Sequence, residues 1–162
     1  MSLYAEGTSV SVEKSRAEIE GTLARYGATA FMYATGQDNK SGEDKAMLQF
    51  QAGGRRIMFV LNLPDRANKN FTHGYAGKRR KLPDADAYKK WEQACRQKWR
   101  CLALAIKAKL EAVESGISAF EDEFMAHIVM PDGKTVSHHM RPQIETAYLS
   151  GKMPLMLGWV GK

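Results

Sequence analysis

The stretch "KAMLQFQAGGRRIMFVLNL" (residues 45–63) decides the fold, because it predicts two β-strands joined by a tight turn. Gly53 and Gly54 separate the runs 45–52 and 55–63, and such a dipeptide supplies the positive φ angles of a short hairpin turn. Every second residue of each run is apolar: Ala46, Leu48, Phe50 and Ala52, then Ile57, Phe59, Leu61 and Leu63. The stretch therefore predicts an antiparallel hairpin with one apolar face that helices must cover.

Two further elements precede the hairpin. The run "ATAFMYAT" (28–35) is typical of a third strand. Before it, Ser15 and Glu18 have the spacing of a capping box, and Gly27 is placed to end the helix that they begin. We therefore expect an N-terminal helix followed by three antiparallel strands.

Three helices are predicted after the hairpin. A helix of about 27 residues follows from apolar residues at alternating three- and four-residue steps. These residues are Tyr88, Trp91, Cys95, Trp99, Leu102, Ile106, Leu110 and Val113. Asp84 or Asp86 can cap its start and Gly116 its end. Two shorter helices are then expected: Ser118 and Glu121 form a second capping box for a helix through about Ile128, and "RPQIETAYLSG" (141–151) places Pro142 in a first turn and Gly151 after a last turn.

These elements predict one α+β domain over residues 1–162. It has a three-stranded antiparallel sheet, an N-terminal helix, one long helix and two shorter C-terminal helices packed on one sheet face. Residues 64–87 show no apolar periodicity and are much longer than an ordinary connection, so we predict a long basic loop there.

The positive charge of the chain is local. Residues 65–109 contain 13 Lys and Arg against 4 Asp and Glu, a net +9, whereas the whole chain has a net charge of +6. Concentrated positive charge is what binding to a polyanion requires. We therefore predict a nucleic-acid interface, with no motif of a helix-turn-helix or zinc finger, and favour single-stranded DNA. Its predicted residues are Lys78, Arg79, Arg80, Lys81, Lys89, Lys90, Arg96 and Arg100.

Two alternatives for this segment stay open. The cations on the long helix are also what the solvated side of any amphipathic helix contains. Phe71, His73 and Tyr75 are candidates for stacking on bases, yet the same rings could pack onto the core.

Enzymatic chemistry has little support in the sequence. There is no phosphate-binding Gly-rich loop followed by lysine and no Gly-x-Ser-x-Gly. Glu123 and His127, four apart, could join His138 or His139 around a metal ion, but this arrangement is weak, and a metal-dependent nuclease is the least favoured hypothesis. We expect no catalytic residue, no metal and no cofactor.

A cytoplasmic protein without a membrane anchor is expected. No run of 18 apolar residues is present, and the first residues lack the pattern of a secretory signal. Cys95 and Cys101, six apart in a predicted helix, are expected to be reduced thiols.

The stretch "KWRCLALAIKAKLEAVESGISAFEDEFMAHIVMPDGKTV" (98–136) resembles a family of small uncharacterised proteins encoded by phages and prophages, and "YLSGKMPLML" (148–157) resembles their usual ending. The resemblance implies a role in phage replication and recombination, or in interference with a host defence. The first role agrees with a protein that binds or anneals single-stranded DNA and forms homo-oligomers. The second agrees with a factor that inhibits a host defence or nuclease complex by binding a host protein.

Overall fold

The computed structural model of the chain describes residues 5–37, 42–74 and 80–153 and shows an α+β fold. The elements are α1 (Val12–Arg25), β1 (Thr29–Gln37), β2 (Asp44–Ala52), β3 (Arg55–Asn62), α2 (Lys69–Thr72), α3 (Asp84–Glu114), α4 (Phe120–Phe124), a short 3₁₀ turn (Met125–His127) and α5 (Val136–Ser150).

The three strands form one antiparallel sheet in the order β1-β2-β3. Across the sheet, Tyr33 pairs with Leu48, which in turn pairs with Phe59. Gly53 and Gly54 connect β2 to β3 with φ angles of 57° and 71°, a conformation that residues with a Cβ rarely adopt. The predicted sheet and its glycine turn are therefore confirmed.

The hydrophobic core lies on one face of this sheet. The strands contribute Ala46, Leu48, Phe50, Ala52, Ile57 and Phe59, all buried. Helix α1 adds Ile19 and Leu23, and α3 adds a stripe that includes Trp99 and Ile106. Phe124 of α4 completes the cluster, with its ring edge-on to Phe59 at a centroid distance of 6.3 Å.

Helix α1 begins one turn earlier than predicted. Its N-cap is Ser11, whose side-chain oxygen accepts a hydrogen bond from the backbone N–H of Lys14 at 3.2 Å. Ser15, the predicted cap, lies inside the helix and is fully buried. The capping-box prediction was wrong because Ser11 offers an equivalent hydroxyl just before the first helical turn. Gly27, with a φ of 79°, follows the helix as predicted.

Helix α3 is 31 residues long and starts earlier than the apolar stripe indicated. Its N-cap is Pro83, without a side-chain cap, so Asp84 and Asp86 lie in the first turn. There they complement the helix dipole, and their prediction as caps was wrong. Tyr88, the first residue of the predicted buried stripe, is 42% exposed. The fully buried part of the helix begins only at Cys95.

The chain after α3 differs most from the prediction. Helix α4 ends at Phe124, and the following 3₁₀ turn leads to a bridge between Ile128 and Ile57 of β3. The backbone N–H of Val129 also donates to the carbonyl of Arg56 at 2.8 Å. The predicted helix through Ile128 is thus too long, because the chain there pairs with the edge of the sheet.

Helix α5 begins before the expected segment. Thr135 is its N-cap, with the side-chain oxygen accepting from the N–H of His138 at 3.2 Å. Pro142 therefore lies inside the helix, and its prediction in the first turn was wrong. Gly151 ends the helix in the left-handed conformation, as predicted. None of the α5 side chains is buried, and Tyr148 is 88% exposed.

Candidate nucleic-acid interface

The segment predicted as a long loop contains ordered structure. Helix α2 is capped by Asn68, whose side-chain oxygen accepts from the N–H of Asn70 at 2.9 Å. The indole N–H of Trp91 donates to the carbonyl of Pro64 at 2.8 Å. This bond holds the beginning of the segment against α3. The last residues of the predicted loop, from Asp84 onward, belong to helix α3.

Residues 72–74 and residues 80–82 pair with each other before α3, and we call these two short segments the basic arm. His73 and Lys81 form an antiparallel bridge. The N–H of Gly74 donates to the carbonyl of Arg80 at 3.1 Å, and the N–H of Leu82 donates to the carbonyl of Thr72 at 2.8 Å. These bonds fix the two sides of the arm at the start of α3. Tyr75, Lys78 and Arg79 lie outside the described residues, so their predicted roles stay predictions.

Four of the predicted cations lie close together along the chain and are exposed. They are Arg80, Lys81, Lys89 and Lys90, which we call the basic end. The two lysines of α3 are five and six residues after Asp84, within about 9 Å of it along the helix axis at 1.5 Å per residue. Within the ranges that the structure describes, none of the four forms an ion pair with a carboxylate.

The other two described cations of the predicted set are engaged within the fold. Arg96 forms an ion pair with Glu92 at 3.2 Å and donates to the side-chain oxygen of Gln93 at 2.7 and 3.0 Å. Arg100 forms an ion pair with Glu18 of α1. The exposed side of α3 is thus partly compensated in charge, and the predicted role of these two arginines in phosphate binding stays a prediction.

An aromatic pair accompanies the basic end. The rings of Tyr88 and Trp91 are tilted to each other with their centroids 5.6 Å apart. The guanidinium carbon of Arg66 lies 5.0 Å from the centre of the tyrosine ring and 5.8 Å from that of the tryptophan. Of the stacking residues predicted from the sequence, Phe71 and His73 are described, and both are partly buried. Tyr88 is exposed and is therefore more accessible than either Phe71 or His73.

Sequence reasoning missed Tyr88 and Arg66 as site residues because Tyr88 continues the apolar periodicity of the core stripe. The lengths of α3 and of the strands do indicate that one end of the helix is exposed. A helix of 31 residues is about 46 Å long, whereas a strand of nine residues is about 30 Å long. The helix therefore extends beyond the sheet, and the residues at its overhanging end cannot all be buried.

The residues proposed for metal chemistry have separate partners. Glu123 accepts from the Lys109 ammonium at 3.2 Å. His127 stacks on Phe59 with a centroid distance of 3.9 Å, and its burial together with the charge of Lys109 lowers its pKa. His139 lies 2.9 Å from a carboxylate oxygen of Asp132. Across the described ranges, no three His, Cys, Asp or Glu side chains are grouped closely enough to hold a metal ion.

No disulfide joins Cys95 and Cys101, and both side chains are thiols. Cys95 is buried in α3. Burial, with a smaller effect of nearby Asp44 and Glu92, raises the pKa of its thiol to about 11. Because the thiolate is the reactive form, this side chain is an inert part of the packing.

No protein-family model, curated protein sequence or solved structure matches this chain. The resemblance to small phage-encoded proteins stays a prediction from the sequence. Among the described helices, none combines the length and the apolar character needed to cross a membrane.

Proposed function

We propose that this protein binds nucleic acid, with single-stranded DNA as the favoured form, through the basic end and the residues around it. The observation that carries the proposal is that Arg80, Lys81, Lys89 and Lys90 are exposed and have no carboxylate partner among the described residues. Arg80 and Lys81 lie on one side of the basic arm. Helix α3, which contains Lys89 and Lys90, begins three residues after Lys81. In the sequence, Lys78 and Arg79 lie between the two segments of the basic arm.

Binding of this kind depends on phosphates more than on bases. Each cation placed near a phosphate releases condensed counterions, so affinity falls as the salt concentration rises. Arg96 and Arg100 remain in the proposed set but contribute less, because their guanidinium groups already face Glu92 and Glu18.

The aromatic pair is the reason for favouring a single strand. Unpaired bases expose their ring faces and stack on aromatic side chains without sequence preference. Tyr88 is exposed and immediately precedes Lys89 and Lys90, so a base stacked on the ring would leave its phosphates within reach of the two lysines. A role in recombination or replication rests on the resemblance to phage proteins.

The decisive experiment measures binding of a labelled oligonucleotide by fluorescence anisotropy at several salt concentrations. The test variant is Lys89→Gln/Lys90→Gln, and the control is Lys98→Gln/Lys107→Gln, which removes the same charge from other exposed positions of α3. The test variant should weaken binding and reduce the slope of log affinity against log salt by about 1.4, from about 0.7 per phosphate contact on a single strand. The control should change both much less.

Strandedness is tested with Tyr88→Ala. Loss of a stacked base should cost about 1–3 kcal/mol with a single strand and little with a duplex of the same sequence. Absence of any binding at low salt would overturn the proposed function. Recovery of a stoichiometric host protein that survives nuclease treatment would favour the alternative, inhibition of a host complex.

A further inference from the structure

The two edge strands of the sheet, β1 and β3, differ in the backbone pairing of their outer edges. The outer edge of β3 is partly covered, because Ile128 bridges to Ile57 and the N–H of Val129 donates to the carbonyl of Arg56. β1 pairs with β2 on one side only. On its other side, the described part of the chain provides no backbone hydrogen-bond partner. Within the described ranges, one side of β1 therefore presents a row of backbone donors and acceptors that have no backbone partner.

From Met32 to Gln37, β1 has none of the features that block a new strand from pairing there. Natural edge strands are commonly protected by charged side chains, proline or bulges. Residues 28–37 contain no charged residue and no proline. The single irregularity lies between Thr29 and Met32, next to Ala30 with a φ of 54°, and pairing from Met32 to Gln37 is regular.

The sheet face opposite the core, which we call the outer face, adjoins the open edge of β1. Ala34, Met47 and Val60 form one row across the three strands, and Met32, Gln49 and Met58 form the next. Met32 is 44% exposed and Val60 is 55% exposed, so much of this face is apolar and accessible. A strand added beside β1 would extend these rows and cover part of Met32.

We propose that two copies of this chain associate edge to edge, β1 against β1 in antiparallel orientation, to form one continuous six-stranded sheet. A second copy fits because a two-fold axis brings two identical edges together and satisfies both at once, which closes the assembly. The absence of charge on β1 allows this approach although the chain as a whole has a net charge of +6. The outer-face rows of the two sheets then become continuous.

The affinity of this contact is limited by its size. A junction of two nine-residue strands buries less surface than the roughly 1,200–2,000 Å² of a standard stable interface. The dimer should therefore form and dissociate over an accessible range of protein concentration. It requires no nucleic acid, so it stands independently of the function proposed above.

The test is sedimentation velocity of nuclease-treated protein over a wide range of concentration. The wild type should shift from the monomer mass of 18.1 kDa to twice that value. The variant Met32→Lys/Ala34→Lys places like charges beside each other across the two-fold axis and should remain monomeric. The matched control, Met58→Lys/Val60→Lys, introduces the same charges in the same two rows but on β3, and should dimerise like the wild type.

Hydrogen exchange on the unmodified chain gives a second measurement that does not depend on the variants folding. Backbone amides of β1 should become more protected as the protein concentration rises, whereas those of β3 should not. A monomer at every concentration would overturn the proposal. So would a dimer that the β3 variant dissociates as fully as the β1 variant, since that result places the contact on the sheet face.

Discussion

The guanidinium of Arg100 on α3 forms an ion pair with the carboxylate of Glu18 on α1. The pair joins residues 82 positions apart in the sequence and links two helices that lie on the same sheet face. A cation that the sequence places among candidates for phosphate binding thus has a structural partner, and replacing it tests the fold as much as the function.

Replacement of either member of this pair should destabilise the protein. A double-mutant cycle of Arg100→Ala and Glu18→Ala should give a coupling energy of up to about 1 kcal/mol, the upper end for ion pairs that remain partly exposed. The two side chains retain 22% and 39% of their exposure. The measurement is urea unfolding. The same cycle on Arg96 and Glu92, four apart on α3, should give about 0.3–0.5 kcal/mol. Equal coupling energies for the two pairs would contradict the expectation that the pair joining α1 and α3 contributes more to stability.

The start of α1 gives a second prediction. Ser11→Ala should lower the free energy of unfolding by about 1 kcal/mol, because it removes the hydroxyl that caps the helix. Ser15→Ala should be neutral or stabilising. The Ser15 hydroxyl is buried and has no hydrogen-bond partner among the residues that the structure describes, and an unsatisfied buried polar group costs about 1–3 kcal/mol. Thermal or urea unfolding of both variants measures the difference, and the opposite order would place the helix start at Ser15.

The strands were predictable from the sequence because their signals are local. Alternation of apolar residues and the Gly53-Gly54 dipeptide are set by neighbouring positions, and the observed β2 and β3 agree with the predicted runs to within one residue. The helix boundaries were less predictable. Ser11 and Ser15 offer the same chemistry four residues apart, and only packing against the core decides which of them is buried.

The candidate interface was predictable only in part, because charge in sequence is not charge at a surface. The excess of lysine and arginine over residues 65–109 is a sequence property. The partners of Arg96 and Arg100 differ in kind: Glu92 is a neighbour on the same helix, whereas Glu18 is brought in by tertiary packing. The sequence can indicate the first pairing and has no signal for the second. The exposure of Tyr88 likewise depends on how far α3 extends beyond the sheet.

The hairpin turn provides a matched pair of substitutions. Both glycines have positive φ angles, so Gly53→Ala and Gly54→Ala should each cost about 1–2 kcal/mol from backbone strain. A Cβ on Gly54 meets nothing within 4 Å, whereas a Cβ on Gly53 lies 3.2 and 3.3 Å from ring carbons of Phe120. Gly53→Ala should therefore be the more destabilising change in urea unfolding. Equal effects would show that the Phe120 ring moves aside freely.

His127 should make stability depend on pH in the mildly acidic range. Its ring is stacked on Phe59, and burial, together with the positive charge of Lys109, lowers its pKa from the ordinary value of 6.5. The unfolded chain therefore binds a proton at pH values where the folded protein does not. The free energy of unfolding should decrease as the pH falls below about 6.5, until the pH reaches the lowered pKa of the folded state.

Two carboxylates with lowered pKa values titrate in a more acidic pH range than His127. The contribution of His127 to the pH dependence of stability can therefore be measured separately from theirs. The pKa of Glu13 is lowered from 4.5 by hydrogen bonds to its own backbone and to Ser11, and that of Asp132 is lowered from 3.8 by the N–H of Lys134, so both titrate below the range of His127. His127→Phe retains an aromatic ring against Phe59 and should flatten the stability curve between pH 6.5 and the region where carboxylates titrate, whatever it does to the absolute stability. Parallel curves for the wild type and His127→Phe would mean that His127 has the same pKa in the folded and unfolded states.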